Sequence, residues 1–318
     1  MHNEVKELVE NKTKPGLLLR APMDYIILWK IYYKITCMRL SIITINLNNI
    51  KGLRRTIDSV ICQTWRDFEW IIIDGGSTDG SKELLEHNQH FFSYWSSEPD
   101  KGIYNAMNKG ISHAVGDYLI FLNSGDCLHD DEVLSKIFRN EINADVIYGD
   151  LVIDSKDHSF IAHFPAHLTF HFLLCNSIGH PASLIRTTLL KESGYSEEFR
   201  IVSDWYKFIE LFREGKLFHH IDVVIADFDS TGVSSNTEKG DEERENVLKK
   251  VLGNDNYILV QEAFVWQNQY RELFNSGYLN IIKYRGWRYR LLFHVLRLLN
   301  KTCKSVLIES ETIWCSSL

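Results

Sequence analysis

Short apolar runs alternate with amphipathic stretches along the chain from residue 40 to about residue 122. The runs Leu40–Asn46, Phe68–Asp74 and 117–122 are predominantly apolar, which is typical of strands buried on both faces of a parallel sheet. The remaining pattern predicts helices at 51–63, 81–87 and 103–114 and a further strand at 91–97. This alternation predicts an α/β domain with a mostly parallel central sheet and helices on both faces.

The pattern becomes less regular after residue 146. Strands are predicted at 146–153 and 218–226, separated by a stretch rich in histidine and aromatic residues. A helix is predicted from Ser203 to about residue 214, with Ser203 as its N-cap. A charged helix is predicted at 238–251, and a further helical segment follows it.

The C-terminal region is basic. Between Arg271 and Lys304 eight Lys and Arg residues stand against Glu272 alone, which gives a net charge of +7. Leu, Ile, Phe, Tyr and Trp fill the intervening positions at near-helical spacing, as in helices that lie in an anionic membrane interface. The alternative is a helix packed on the preceding domain with its basic face in solvent.

Three regions are expected: an N-terminal extension at 1–37, an α/β domain at 38–235, and a helical basic region at 236–318. Within the extension, residues 24–37 are apolar and aromatic but are interrupted by Lys30 and Lys34. A membrane span takes roughly 20 apolar residues, so this stretch predicts an amphipathic helix instead.

Composition excludes some functional classes. The 318 residues are 45% hydrophobic and 24% charged, as in a globular protein with a well-filled core. A formal net charge of -7 and a pI near 6.0 argue against a nucleic-acid binder. Six scattered cysteines and a polar N-terminus without a signal-peptide pattern predict a cytoplasmic protein with reduced thiols. The basic tail adds the prediction of peripheral binding at the inner face of the plasma membrane, if it lies in the membrane interface.

Two acidic turns follow predicted strands. Asp74 ends one strand, and Asn123-Ser124-Gly125-Asp126 ends another. Ligands of open parallel sheets bind beyond the carboxyl ends of the strands, so both turns fall on the ligand-binding edge. Asp126 supplies a carboxylate suited to Mg²⁺ or Mn²⁺, which need only one or two carboxylates when a diphosphate brings further oxygens. Taken singly, each turn could also be a helix cap or a plain β-turn.

Four ordered segments carry a resemblance to a known family. They are 40–46 (LSIITIN), 73–81 (IDGGSTDGS), 98–110 (EPDKGIYNAMNKG) and 116–126 (GDYLIFLNSGD). In this order and spacing they resemble family 2 glycosyltransferases, particularly the bacterial branch that builds colanic acid, capsule and O-antigen polysaccharides. The resemblance covers residues 39–235. It implies the GT-A fold and inverting hexosyl transfer from a UDP- or GDP-sugar to a saccharide or lipid-linked saccharide acceptor.

The resemblance also implies site residues. By position these are Asp74, Thr44 and Asn46 at the nucleobase, Asp100 and Lys101 near the ribose or diphosphate, Asn123 at the donor, Asp126 at the metal, Asp204 as catalytic base, and His180 on the acceptor or diphosphate side. The chain departs from the commoner pattern at several places. Asn123 and Gly125 stand where many relatives have Asp, Gly75 replaces the second Asp of D-D-G-S, and Asn105 stands where Asp is common.

Some chemical interpretations remain open. Inversion needs a carboxylate to take the proton of the acceptor hydroxyl, which Asp204 could do, but a first-turn Asp also stabilises a helix through its dipole. His163, His167 and His171 are spaced four apart, as in a helical zinc site, but Pro165 interrupts any helix there. A sugar nucleotidyltransferase would need a Gly-rich basic loop after the first strand, which residues 47–52 do not supply. A catalytically weak sugar-nucleotide-binding subunit is the remaining alternative.

Overall fold

A computed structural model describes residues 40–140, 142–154, 159–230 and 237–261. Two compact units divide these residues, the first at 40–168 and 176–240, the second at 169–175 and 241–261. The extension at 1–37, the predicted boundary at residue 235 and the basic segment at 271–304 lie outside the described residues. No helix within the described ranges is long and apolar enough to cross a membrane.

Nine strands form the sheet of the first unit. They are β1 (Leu40–Asn46), β2 (Phe68–Asp74), β3 (Tyr94–Ser97), β4 (Tyr118–Phe121), β5 (Cys127–Leu128), β6 (Val146–Asp154), β7 (Ser159–Ala162), β8 (Ser183–Arg186) and β9 (Phe218–Asp229). The strand order is β3-β2-β1-β4-β8-β6-β9-β5, and β7 pairs with β6 at the side of this path. The pairs among β3, β2, β1 and β4 are parallel, as the sequence predicts.

The other half of the sheet is mixed. Strand β8 is antiparallel to both β4 and β6, whereas β6 and β9 are parallel to each other. Following these directions through β8, β9 runs parallel to β4, so the carboxyl ends of β1, β2, β4 and β9 share one edge. The short strands β5, β7 and β8 were not predicted.

Eight helices are described. They are α1 (Ile50–Ile61), α2 (Ser81–Asn88), α3 (Ile103–His113), α4 (Val133–Ile137), α5 (Phe170–Cys175), α6 (Thr187–Ser193), α7 (Ser203–Arg213) and α8 (Thr237–Leu252), with 3-10 turns at Gln89–Phe91 and His180–Ala182. Residues 254–261 are also helical. The predictions for α1, α2, α3, α7 and α8 are confirmed to within a few residues.

Two local predictions are wrong. Strand β3 begins at Tyr94 rather than at residue 91, because Gln89–Phe91 forms a 3-10 turn. Helix α7 begins at Ser203 itself, so Val202 occupies the cap position. The Ser203 hydroxyl is buried and has no hydrogen-bond partner in the part of the chain that is described, and it therefore caps nothing.

The core lies on both faces of the central strands. Every residue of β1 is buried, and Ile42, Trp70 and Ile120 of neighbouring strands lie in one hydrophobic cluster with residues of α1. The β1–β2 register ends with Asn46 opposite Asp74, and β1–β4 pairs Ile43 with Phe121. This register brings the polar ends of the three strands to the same edge.

Candidate functional site

Asp74 is the centre of the first acidic turn, which we call the Asp74 turn (residues 74–80). Its Oδ1 accepts hydrogen bonds from Asn46 Nδ2 (2.7 Å) and Ser77 Oγ (2.6 Å), and its Oδ2 accepts from Ser77 N (2.9 Å) and Ser97 Oγ (2.6 Å). Burial by itself would raise the pKa of Asp74, but these hydrogen bonds outweigh it and hold the pKa below its usual value. Asp74 is thus an ionised, fully satisfied carboxylate with no exposed surface.

The residues of β1 beside this turn have different roles. Thr44 is fully buried, and its hydroxyl accepts a hydrogen bond from Trp70 Nε1 (3.1 Å). Asn46 donates to Asp74, but its Oδ1 is buried without a donor among the described residues. Asn46 therefore presents one acceptor at the sheet edge that no described group satisfies.

Asp100 lies over Gly75. A Cβ at Gly75 would stand 2.5 Å from Asp100 Oδ2, so a side chain at residue 75 would displace this carboxylate. Asp100 Oδ1 accepts from Gly102 N (2.8 Å), which fixes the carboxylate at the start of α3. The side chain of the neighbouring Lys101 is exposed. The carboxylate that Gly75 lacks is therefore replaced in space by that of Asp100.

The second acidic turn, residues 123–126, is called the Asp126 turn below. Gly125 N donates to Thr56 Oγ1 (3.0 Å), and Thr56 Oγ1 donates to the backbone carbonyl of Asp126 (2.7 Å). Asn49 Nδ2 donates to the carbonyl of Ser124 (2.8 Å). Helix α1 and the loop before it therefore hold the backbone of this turn in place.

The side chains of the Asp126 turn are poorly satisfied. Asp126 is only 3% exposed, and its Oδ1 accepts from Asp229 N (3.1 Å). Its Oδ2 and the Oδ1 of Asn123 are buried and find no donor in the described ranges. Burial raises the pKa of Asp126 to about 7, and the negative charge of Asp229 adds to this effect.

A hard divalent cation fits these oxygens. No cluster of three or more His, Cys, Asp or Glu side chains with metal-binding geometry occurs within the described residues. Mg²⁺ needs only one or two carboxylates when a nucleotide diphosphate supplies other ligands. Two buried oxygens without donors, one from a carboxylate and one from an amide, are the donor set such an ion prefers.

Asp204 lies in the first turn of α7. Its Oδ1 accepts a hydrogen bond from Tyr104 Oη (2.8 Å), a side chain of α3. Burial, followed by the negative charge of Asp204, raises the pKa of Tyr104 well above its usual value. Tyr104 therefore stays protonated and holds one carboxylate oxygen of Asp204 in place.

His180 belongs to the surroundings of Asp204. Its ring stacks on Phe121, with 5.0 Å between the ring centroids, and its Nε2 is 2.9 Å from Tyr195 Oη. Burial lowers the pKa of His180, while the charge of Asp204 opposes this shift. The same charge helps burial to raise the pKa of Tyr195. His180 and Tyr195 are thus close enough to Asp204 for its charge to act on the pKa of both side chains.

The structure brings the sequence-predicted residues together as three groups. Asn46, Asp74 and Asp100 form the first, Asn123 and Asp126 the second, and His180 and Asp204 the third. The loop at 46–49 reaches both acidic turns, since Asn48 Oδ1 accepts from Thr78 N (2.8 Å) and Asn49 binds Ser124. Sequence reasoning missed three contributors, which are Thr56, Tyr104 and Asp229.

A family model described as "Glycosyl transferase family 2" matches residues 41–201. An uncharacterized glycosyltransferase of Mycobacterium tuberculosis is 34% identical over 207 residues, 62% of this chain and 78% of the relative. A PGL/p-HBAD biosynthesis glycosyltransferase of Mycobacterium bovis is 31% identical over 205 residues, 62% of this chain and 79% of the relative. The matched region contains both acidic turns.

Solved structures share the fold. S. aureus TarS 1-349 in complex with UDP-GlcNAc has a TM-score of 0.56 at 17% identity, with 67% of this chain and 65% of that chain covered. The mannosyltransferase PcManGT of Pyrobaculum calidifontis in complex with GDP-Man and Mn²⁺ has a TM-score of 0.55 at 13% identity, with 82% and 80% covered. At these identities the likeness shows the fold alone, and that fold is the GT-A type.

Proposed function

This chain belongs to glycosyl transferase family 2 and is a glycosyltransferase, and we propose that it moves a sugar from a UDP- or GDP-sugar to a saccharide acceptor with inversion at the anomeric carbon. The observation that carries the proposal is the Asp126 turn, where Asn123 Oδ1 and Asp126 Oδ2 are buried without donors. Such oxygens are costly in a folded protein unless a ligand satisfies them. A cation that accompanies a diphosphate supplies that partner.

The nucleotide end of the donor is assigned to the neighbourhood of the Asp74 turn. Asp74 already accepts four hydrogen bonds from the protein. We therefore assign it the role of fixing Asn46 and Ser97, and not that of sole ligand of the nucleobase. Asn46 Oδ1 and the Asp100 carboxylate are the acceptors available to nucleobase N–H groups or ribose hydroxyls. Lys101 is exposed beside them and carries the positive charge suited to the diphosphate.

The diphosphate end is assigned to Asn123 and Asp126. These two side chains would hold Mg²⁺ or Mn²⁺, which when bound neutralises the charge on the departing diphosphate. The mannosyltransferase PcManGT of the same fold is a complex with GDP-Man and Mn²⁺, which is consistent with this assignment. Thr56 keeps the turn in the required conformation through its two backbone hydrogen bonds.

Asp204 is assigned the role of general base. It accepts the proton of the acceptor hydroxyl while that oxygen forms a bond to the anomeric carbon and the bond to the diphosphate oxygen breaks on the opposite face. Tyr104 holds Asp204 Oδ1, which leaves Oδ2 for the acceptor hydroxyl. His180, whose pKa responds to the charge of Asp204, is assigned to the acceptor side.

The acceptor is assigned to the class of lipid-linked saccharides in cell-surface polysaccharide synthesis, on the inner face of the plasma membrane. The name of the Mycobacterium bovis relative places that protein in PGL/p-HBAD biosynthesis. The +7 segment between Arg271 and Lys304 has the composition that binds anionic headgroups. Flotation with anionic liposomes tests this assignment, because a chain truncated at Ser276 should lose binding and equal binding would contradict it.

The central experiment measures transfer and donor hydrolysis with UDP- and GDP-sugars. Asp204→Asn should lower kcat by about 10³-fold and leave donor binding intact, because only the proton acceptor is removed. Asp222→Asn, which neutralises an exposed carboxylate on β9, is the matched control and should keep full activity. Donor binding without turnover in the wild-type protein would instead favour a sugar-nucleotide-binding subunit.

A further inference from the structure

Gly125 makes room for a carboxylate from another strand. A Cβ at Gly125 would lie 2.8 Å from Asp229 Oδ2 and 3.1 Å from Asp229 Cβ. Gly125 also has φ +113°, a backbone conformation that favours glycine. Asp229 therefore occupies the space in which a side chain at residue 125 would stand.

The fold explains how a residue so distant in sequence reaches the turn. Asp229 is the last residue of β9, whose carboxyl end lies on the same sheet edge as that of β4. After the Asp126 turn the chain runs back along β9, with Cys127 paired to Asp227. The backbone N–H of Asp229 then donates to Asp126 Oδ1, which fixes the Asp126 carboxylate beside the backbone of Asp229.

A positively charged side chain lies near Asp229. The Arg55 guanidinium lies 3.8 Å from Asp229 Oδ2 and 3.6 Å from Asp154 Oδ2, and about half of its side chain is exposed. Ion pairs of this length and exposure contribute little. Asp126 Oδ2 remains buried and without a donor among the described residues. This unpartnered oxygen is the independent sign that the pair receives a ligand.

The same arrangement occurs at the other acidic turn. At Gly75 the carboxylate of Asp100 stands 2.5 Å from the position of the missing Cβ. In both turns, therefore, an Asp from another element places its carboxylate over a glycine of the turn.

We propose that Asp229 is the second carboxylate of the metal–diphosphate site and binds the divalent cation together with Asp126. The inference rests on the proposed function, since it assumes a nucleoside diphosphate at the Asp126 turn. A second carboxylate gives the site the donor set that Mg²⁺ and Mn²⁺ take from enzymes that bind nucleotide phosphates. Asp229 is 21% exposed in its side chain, which leaves it accessible to an entering ion.

The test is Mn²⁺ binding by the full chain, followed by the electron paramagnetic resonance signal of free Mn²⁺ in the presence of UDP or GDP. Asp229→Asn should weaken Mn²⁺ binding by at least the roughly tenfold loss that follows removal of even an outer partner of a metal ligand. Asp126→Asn should weaken it as well. Asp227→Asn is the matched control on the same strand, with its own partner His129 (2.7 Å), and should bind Mn²⁺ like the wild type.

A second measurement separates metal binding from a purely structural role. In chelator-treated protein, Asp229→Asn should unfold at the wild-type Tm or above it, because it removes a negative charge beside Asp126. Added Mn²⁺ and nucleotide should then raise its Tm less than that of the wild type. A lower Tm without metal, combined with unchanged Mn²⁺ affinity, would overturn the proposal and leave Asp229 as a structural residue.

The remaining outcomes of these measurements also test whether Asp229 is a metal ligand. If Asp126→Asn loses Mn²⁺ and Asp229→Asn does not, Asp229 is not a ligand, although the metal assignment stands. If the wild type binds UDP or GDP but no Mn²⁺ with either, the inference is overturned while the donor assignment survives. Failure to bind any nucleotide would count against the proposed function itself.

Discussion

The two acidic turns look alike in sequence but differ in how their carboxylates are satisfied. Asp74 accepts four hydrogen bonds, and its pKa is held below the usual value. The Asp126 side chain accepts one hydrogen bond, at Oδ1, whereas its Oδ2 has no donor in the described structure. The pKa of Asp126 is raised to about 7. Both residues are almost completely buried, so burial alone does not separate them.

The difference shows what each turn is built to do. A buried carboxylate surrounded by its own donors is a structural centre, because removing it leaves several buried groups unsatisfied. A buried carboxylate without donors is unfavourable until a ligand reaches it. We therefore expect substitutions at Asp74 to change stability first and substitutions at Asp126 to change binding and catalysis first.

The largest expected effect is on stability at the Asp74 turn. Asp74→Asn keeps the shape but loses the charge and half of the acceptor capacity, which should lower the free energy of unfolding by about 4 kcal/mol. Urea denaturation followed by circular dichroism measures this change. Asp126→Asn is the matched variant, and an equal loss of stability there would remove the distinction between the turns.

Catalysis should depend more strongly on Asp126 than on Asp74. Asp126→Asn is expected to lower kcat for sugar transfer by about 10²-fold, since several kcal/mol of charge stabilisation on the departing diphosphate depend on the bound metal. Steady-state kinetics at saturating Mn²⁺ would measure it. Asp227→Asn should keep its activity, and an active Asp126→Asn enzyme would show that the turn does not serve the diphosphate.

The stability of the metal-free protein should depend on pH through Asp126. Its folded-state pKa of about 7 lies above the usual aspartate value of 3.8, so between these values the folded state holds a proton that the unfolded chain has released. The contribution of this group to stability therefore falls as the pH rises through that window. Asp126→Asn abolishes this pH dependence. The free energy of unfolding of the variant minus that of the wild type should therefore be about 2 kcal/mol larger at pH 8 than at pH 5. Urea denaturation of chelator-treated protein at both pH values tests this, and a constant difference would contradict it.

The smallest expected effect concerns a single donor of the Asp74 turn. Ser97→Ala removes the hydrogen bond from Ser97 Oγ to Asp74 Oδ2, which should cost about 1 kcal/mol of stability. The control is Ser112→Ala, whose exposed hydroxyl donates only to a carbonyl of its own helix. Thermal unfolding of the two variants compares them. Equal Tm values would mean that the four hydrogen bonds of Asp74 are not individually important.

The regular part of the fold could be predicted from sequence. Strands Leu40–Asn46 and Phe68–Asp74 are predicted to the residue, because their apolar runs are buried on both faces and are bounded by polar turns. The short strands β5, β7 and β8 have two to four residues, and such lengths carry no periodicity to recognise. The aromatic residues at 91 and 92 led to the prediction of a strand from residue 91. In the structure, Phe92 instead packs edge-on against Trp70 (5.0 Å between centroids).

The site could be predicted only in part, for a different reason. Asp74, Asp126 and Asp204 follow from strand ends and from the family resemblance, but their partners come from distant segments. Tyr104 reaches Asp204 across 100 residues of sequence, and Asp229 reaches Asp126 across 103. No local pattern predicts such pairs, because they depend on the order of strands in the mixed half of the sheet.

The position of β9 in the chain has a consequence for the order of assembly. During synthesis the strands from β1 to β4 leave the ribosome first and can pair with one another, since they are neighbours in sequence as well as in the sheet. The Asp126 turn is then already present, but the hydrogen bond that orients its carboxylate comes from a strand made 103 residues later. The Asp126 carboxylate of a nascent chain is therefore fully oriented only after β9 has joined the sheet. The ability of this turn to act in catalysis thus appears only when the domain is complete.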